Sequence, residues 1–107
     1  MANNIFEQLP ESILPEEKIE TLLQSRAVKV ERIISTGQAT PEGRWYNQTQ
    51  TEWVILLKGQ AVIMFEDKQK IELKAGDYVL IRAHQKHRVS WTSPDEVCVW
   101  LALHIKE

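Results

Sequence analysis

After residue 27 the chain is a chain of short apolar runs, each cut off by turn residues, and this limits it to one fold class. Val28, Val30 and Arg32 alternate with Lys29, Glu31 and Ile33 up to Ser35-Thr36-Gly37. Pro41-Glu42-Gly43 is a turn. Trp53 to Leu57 and Ala61 to Phe65 are unbroken apolar runs on either side of Gly59. Runs of that length, rich in branched and aromatic residues, read as strands covered on both faces. Glu66-Asp67-Lys68-Gln69 is a polar loop, and beyond it Ile71 and Leu73 alternate with Lys70, Glu72 and Lys74, as in the half-exposed return strand of a hairpin. Ala75-Gly76-Asp77 turns the chain into Tyr78 to Ile81, and Ser93-Pro94-Asp95-Glu96 turns it into Val97 to Ile105. In that last run Val97, Val99, Leu101, Leu103 and Ile105 are all apolar. Seven or eight short strands at this spacing imply an all-β antiparallel sandwich or barrel.

The first 27 residues read differently. Pro15-Glu16-Glu17 followed by Ile19, Leu22 and Leu23 predicts a short helix, with proline and acids in its first turn. So short a helix is marginal alone and must pack on something larger. The expected organisation is an N-terminal segment, residues 1–27, packed on a barrel formed by residues 28–107. At 107 residues and 43 % apolar composition this is one domain with one modest core.

Composition also narrows the partners. Thirteen basic and 15 acidic residues give a net charge of −2 without any basic block, so a nucleic-acid partner is not expected. No apolar run reaches the roughly 20 residues that span a bilayer, so no membrane partner is expected. Met1-Ala2-Asn3-Asn4 does not open a secretory signal, and Cys98 has no second cysteine to pair with. A cytoplasmic location is the expectation. Trp45, Trp53, Trp91 and Trp100 are read as core and oligomer-interface residues, with ligand stacking as the alternative.

Two motifs carry the functional signal. One is Glu52-Trp-Val-Ile-Leu-Leu-Lys-Gly59, a glutamate six residues before a glycine. The other is Gly76-Asp77-Tyr-Val-Leu-Ile-Arg-Ala-His-Gln-Lys-His87. In this order, flanked by strands and close together, they resemble the two motifs of the cupin superfamily. The likeness covers roughly residues 28–105. It points to the small single-domain bacterial members with a degenerate first motif and a Trp-Tyr-x-Gln…Glu-Trp-Val segment. The resemblance implies a cupin-type double-stranded β-helix, a jelly-roll barrel with a pocket at one mouth. It also implies metal ligands at a His-x-His pair, the glutamate and the second-motif histidine. Here the His-x-His positions hold Tyr46 and Gln48, or Trp45 and Asn47 if one more residue intervenes. Arg82 and His84 replace the second motif's usual proline and glycine.

Strand parity adds a separate argument. Tyr46, Gln48, Glu52, Val54 and Leu56 share one face of an extended segment, and Trp53, Ile55 and Leu57 share the other. An inward Glu52 needs a cation, a histidine or hydrogen bonds, because burying an unpaired charge costs several kcal/mol, of order ~3 or more. His87 is the expected partner, on a face with Val89 and Trp91 if its segment is regular. Either Glu52, His87 and Gln48 hold one divalent metal (Zn, Mn, Fe or Ni), or Glu52 and His87 are a buried pair. Tyr46, His84, Trp91 and His104 are the further candidate pocket residues. Arg82, Lys86 and Arg88 form a basic cluster near the proposed mouth.

Three functions fit these residues. One is a cupin pocket that binds a small molecule, with or without metal, as an enzyme or not. The second is a ligand-binding or sensing module without metal. The third is a structural protein with a vestigial pocket. A homodimer is expected, because Trp53, Ile55 and Leu57 would leave an apolar patch on the outer face.

Overall fold

The computed structural model describes residues 1–106. Eight strands run in chain order: β1 (Lys18–Gln24), β2 (Val28–Ser35), β3 (Thr51–Lys58), β4 (Gln60–Phe65), β5 (Lys70–Lys74), β6 (Tyr78–Ile81), β7 (His87–Thr92) and β8 (Cys98–Ile105). They form two antiparallel sheets, one ordered β1-β2-β8-β3-β6 and the other β5-β4-β7. The all-β antiparallel architecture expected from the turn spacing is therefore observed, in the jelly-roll form that the cupin resemblance implies.

The core lies between the sheets. Val54 and Leu56 of β3, Ile63 and Phe65 of β4, and Cys98, Trp100 and Ala102 of β8 are buried there. Trp53, Ile55 and Leu57 of β3 alternate with the buried residues and are only half-buried. Gly59 links β3 to β4 at φ +96°, and a Cβ there would lie 2.5 Å from the Cys98 sulfur and 2.9 Å from its Cα. Both the backbone conformation and this close approach demand glycine. The Gly76-Asp77 motif is likewise structural: Asp77 Oδ2 accepts a hydrogen bond from the Lys74 backbone N–H at 2.9 Å. That bond, with Lys74's charge, holds the Asp77 carboxyl below its usual range.

The expected N-terminal helix does not form. Its residues are β1, paired with β2 from Lys18↔Ile34 to Gln24↔Lys29. The spacing of Ile19, Leu22 and Leu23 suits a helical face, but one or two turns of helix gain little alone. The free edge of β2 offers a full hydrogen-bond ladder instead. A bulge between Thr21 and Leu23 absorbs the mismatch with period-two alternation. The segment before β1 is bound to the same sheet: buried Arg32 donates to the carbonyls of Ile5 (3.0 Å) and Glu7 (2.7 Å) and pairs with Glu20 (2.6 Å). Residues 1–27 thus extend the sheet and strap it, rather than packing a helix against it.

Candidate functional site

A cavity of about 120 Å³ opens between the sheets, and Glu52, His87, Gln48 and His104 all line it. Glu52 reaches it from β3, where it stands opposite Ile81 on one side and His104 on the other. His87 reaches it from the start of β7, held by a ladder with Phe65 and by a backbone bridge to Tyr46. Both are buried, 8 % and 5 % exposed. His87 Nε2 lies 3.7 Å from Glu52 Oε1, an ion-pair distance too long for a hydrogen bond. His87 Nδ1 lies 3.0 Å from the Gln85 carbonyl, which can only accept, so Nδ1 carries a proton and Nε2 faces Glu52. Burial pulls the imidazole pKa down, but the Glu52 carboxylate and the Gln85 carbonyl together outweigh it. The net shift is upward from the ordinary value of 6.5.

A second histidine–carboxylate pair lines the same cavity. His104 Nε2 meets Glu31 Oε1 at 2.7 Å, and Lys29 approaches the other Glu31 oxygen at 3.4 Å. Glu17 adds a third carboxyl and accepts a 2.7 Å bond from Ser35 Oγ, which in turn accepts one from the Trp100 indole at 3.3 Å. Burial pushes the Glu17 carboxyl above its usual 4.5, against the Ser35 bond. The sequence reading singled out neither Glu17 nor Glu31. No sequence signal marks Glu31, because both faces of β2 are covered and alternation does not tell them apart.

The other candidates divide. Gln48 lines the cavity, and its Oε1 is buried without a hydrogen-bond partner. Tyr46 lines the rim, 44 % exposed, with its ring 5.6 Å from that of His87. His104 lines the cavity and bonds a carboxylate rather than backbone. His84 does not belong to the pocket: it is exposed at φ 64° in the loop before β7, with Nδ1 3.3 Å from Asn47 Oδ1. Trp91 does not belong either. The ladder steps from Ile63↔Val89 to Val62↔Trp91, so Ser90 is an extra residue in β7. That bulge turns Trp91 to the outer face, beside Val62 and Glu72, 42 % exposed. The basic cluster also faces away. Lys86 pairs with Glu66 at 3.4 Å, Arg88 donates to the Thr40 carbonyl at 2.9 Å, and Arg82 is exposed.

The family model described as "Cupin domain" matches residues 32–104. The chain belongs to the cupin family. This cupin is similar to a Ralstonia eutropha structure called a "putative mannose-6-phosphate isomerase", with 41 % identity and a TM-score of 0.94 over 100 % of this chain and 99 % of that one. A cupin superfamily protein from Desulfitobacterium hafniense is 21 % identical, with a TM-score of 0.75 over 92 % of this chain and 84 % of that one. An RmlC-like cupin with a double-stranded β-helix fold from Methanocaldococcus jannaschii is 16 % identical, with a TM-score of 0.72 over 98 % and 92 %. The last two show the fold alone. No curated protein matches the chain.

The donor set of this cupin does not fit a resident divalent metal. Among the described residues, no group of three or more His, Cys, Asp or Glu side chains is placed to hold an ion. Glu52 and His87 face each other as one pair, and Glu31 and His104 close on each other as another. Tyr46 and Gln48 bring a phenol and a neutral amide where the family's histidine pair would stand. Among the described residues, no helix is long and apolar enough to cross a membrane.

Proposed function

We propose that this cupin binds a small organic molecule in the barrel cavity without a resident metal, with Glu52, His87 and Gln48 as its polar inner contacts. The observation that carries this is the buried, unpartnered Gln48 Oε1 on the wall of a cavity. An unsatisfied buried acceptor costs about 1–3 kcal/mol, a penalty that a ligand N–H or O–H removes on binding. A metabolite screen read by melting temperature tests it. A binder raises the midpoint in the native protein and does so less in Gln48→Leu. No binder across the screen overturns the reading. Elemental analysis of untagged protein, after incubation with zinc, manganese, iron and nickel, is expected to find far less than stoichiometric metal. A full equivalent, lost in Glu52→Gln and His87→Ala, would replace this reading with the metal-assisted one.

A second reading concerns assembly. The outer face carries Tyr78 at 64 % and Leu80 at 45 % exposure, and the Tyr78 ring lies 5.4 Å from that of Trp53. With half-buried Ile55, Leu57, Leu101 and Leu103 this is a contiguous apolar surface of the kind that pairs with its own copy. Light scattering is expected to give a dimer for the native protein and a monomer for Trp53→Glu.

A further inference from the structure

We propose that the ligand of this cavity is a small organic cation, a protonated amine of roughly four to six non-hydrogen atoms, and not a phosphate or carboxylate. The inference rests on the small-molecule reading above and names its ligand class. Three carboxyl groups, Glu17, Glu31 and Glu52, line the cavity, and no lysine or arginine does. Glu31 is met by His104 and Lys29 and Glu52 by His87 alone, whereas Glu17 is met by the Ser35 hydroxyl and by no basic group among the described residues. The remaining orphan on the wall, Gln48 Oε1, is an acceptor, so it too asks for a donor.

The devices that hold anions are missing from this site. Phosphates and carboxylates are bound by arginine or lysine, by helix N-termini, or by nests of backbone N–H groups. The described residues contain no helix. The Arg82, Lys86 and Arg88 cluster does not line the cavity, and two of its members are already engaged elsewhere. Each histidine nitrogen with a known partner is also occupied: His87 Nδ1 by the Gln85 carbonyl, His104 Nε2 by Glu31. A sugar phosphate, as the name of the Ralstonia protein would suggest, would bring its charge against carboxylates.

An ammonium meets the opposite situation. The Glu52 carboxylate stands off from His87 rather than bonding it, so it retains capacity to accept. Tyr46 and Trp100 line the same space, and aromatic rings attract cations. Burial alone disfavours an ionised Glu17, and a cation beside it would relieve that cost. The volume, about 120 Å³, is close to the roughly 150 Å³ that admits a benzene-sized guest.

A matched series tests the charge preference: butylammonium, 1-butanol, butyrate and butyl phosphate, with mannose 6-phosphate alongside. Affinities are measured on the native protein by NMR titration at pH 7.5, following resonances of cavity-lining residues. Butylammonium is expected to bind at least about tenfold tighter than 1-butanol, with the three anions weaker still. Raised salt should weaken the amine and not the alcohol. In Glu52→Gln the gap between amine and alcohol should fall below about threefold. If that variant does not fold, the ranking on native protein decides alone. Equal or tighter binding of the alcohol or of any anion overturns the cation inference and leaves the pocket reading in place. Failure of the whole series to move any cavity resonance overturns the cation inference, and the metabolite screen then decides the pocket reading separately.

Discussion

Glu31 and His104 meet at 2.7 Å, whereas Glu52 and His87 stop at 3.7 Å in the same cavity. The two pairs have the same chemistry and different architecture. Glu31 and His104 sit on neighbouring strands of one sheet: Glu31 is opposite Ala102, two residues from His104, so the pair is a diagonal contact on one face. Glu52 and His87 come from different sheets, β3 in one and β7 in the other, and face each other across the space between them. A pair within a sheet is closed by strand spacing alone. A pair between sheets is only as close as the core allows, and here the core leaves a gap. The closed pair is part of the wall; the open pair flanks the space that the proposed ligand would occupy. Lys29 also supports Glu31, while Glu52 has no cation beside it other than His87.

The sharpest way to break this comparison is to remove each histidine in turn. His87→Ala should cost about 3 kcal/mol, because it strands a buried carboxylate and empties a ring packed against Tyr46 and Phe65. His104→Ala should cost about 1 kcal/mol, because Lys29 remains beside Glu31. Urea midpoints measure both, and a reversed order would mean that the closed pair carries more of the fold. Replacing Glu52 and His87 together by leucine should recover much of the His87→Ala loss, as for other buried pairs exchanged for apolar groups.

The next effect is on pH dependence. The folded pKa of His87 lies above its ordinary 6.5, so the protonated form is favoured by folding. Its contribution is therefore complete below about pH 6.5 and is lost as pH rises through the folded value. The stability difference between native protein and His87→Gln should shrink over that interval. A flat difference would show that His87 and Glu52 are not coupled across the gap.

The smallest effect belongs to Glu17. Its folded pKa lies above 4.5, so the neutral form is favoured and that contribution fades as pH rises through the folded value. Glu17→Gln keeps a partner for Ser35 and should raise the melting temperature slightly near pH 7, with little change near pH 4. A large fall at pH 7 would instead place Glu17 with the closed pair as a wall contact.

Legibility in the sequence followed the same division between local and non-local. The inward turn of Glu52 was legible because β3 alternates strictly, with Val54 and Leu56 buried and Trp53, Ile55 and Leu57 half-covered. Trp91 was placed on the wrong face because one bulged residue, Ser90, reverses parity, and bulges leave no mark in hydrophobic alternation. Glu31 escaped notice because β2 is covered on both sides, by the cavity on one and by the segment bound to Arg32 on the other. With both faces covered, alternation loses its meaning. The N-terminal helix failed because residues 18–24 carry a helix-like spacing, while the competing partner, the edge of β2, is set by the assembled sheet.

The sequence by itself determined the extended runs, the turns between them and the sidedness of β3. These depend on neighbours a few residues away and on a strand period of two. Only the tertiary structure decided which carboxylates share a cavity, which histidine closes on its partner and which stays open, and that no lysine or arginine lines the wall. Those outcomes depend on strand order, register and the spacing between two sheets, and residues as distant as Glu31 and His104 acquire a relation only when the barrel closes.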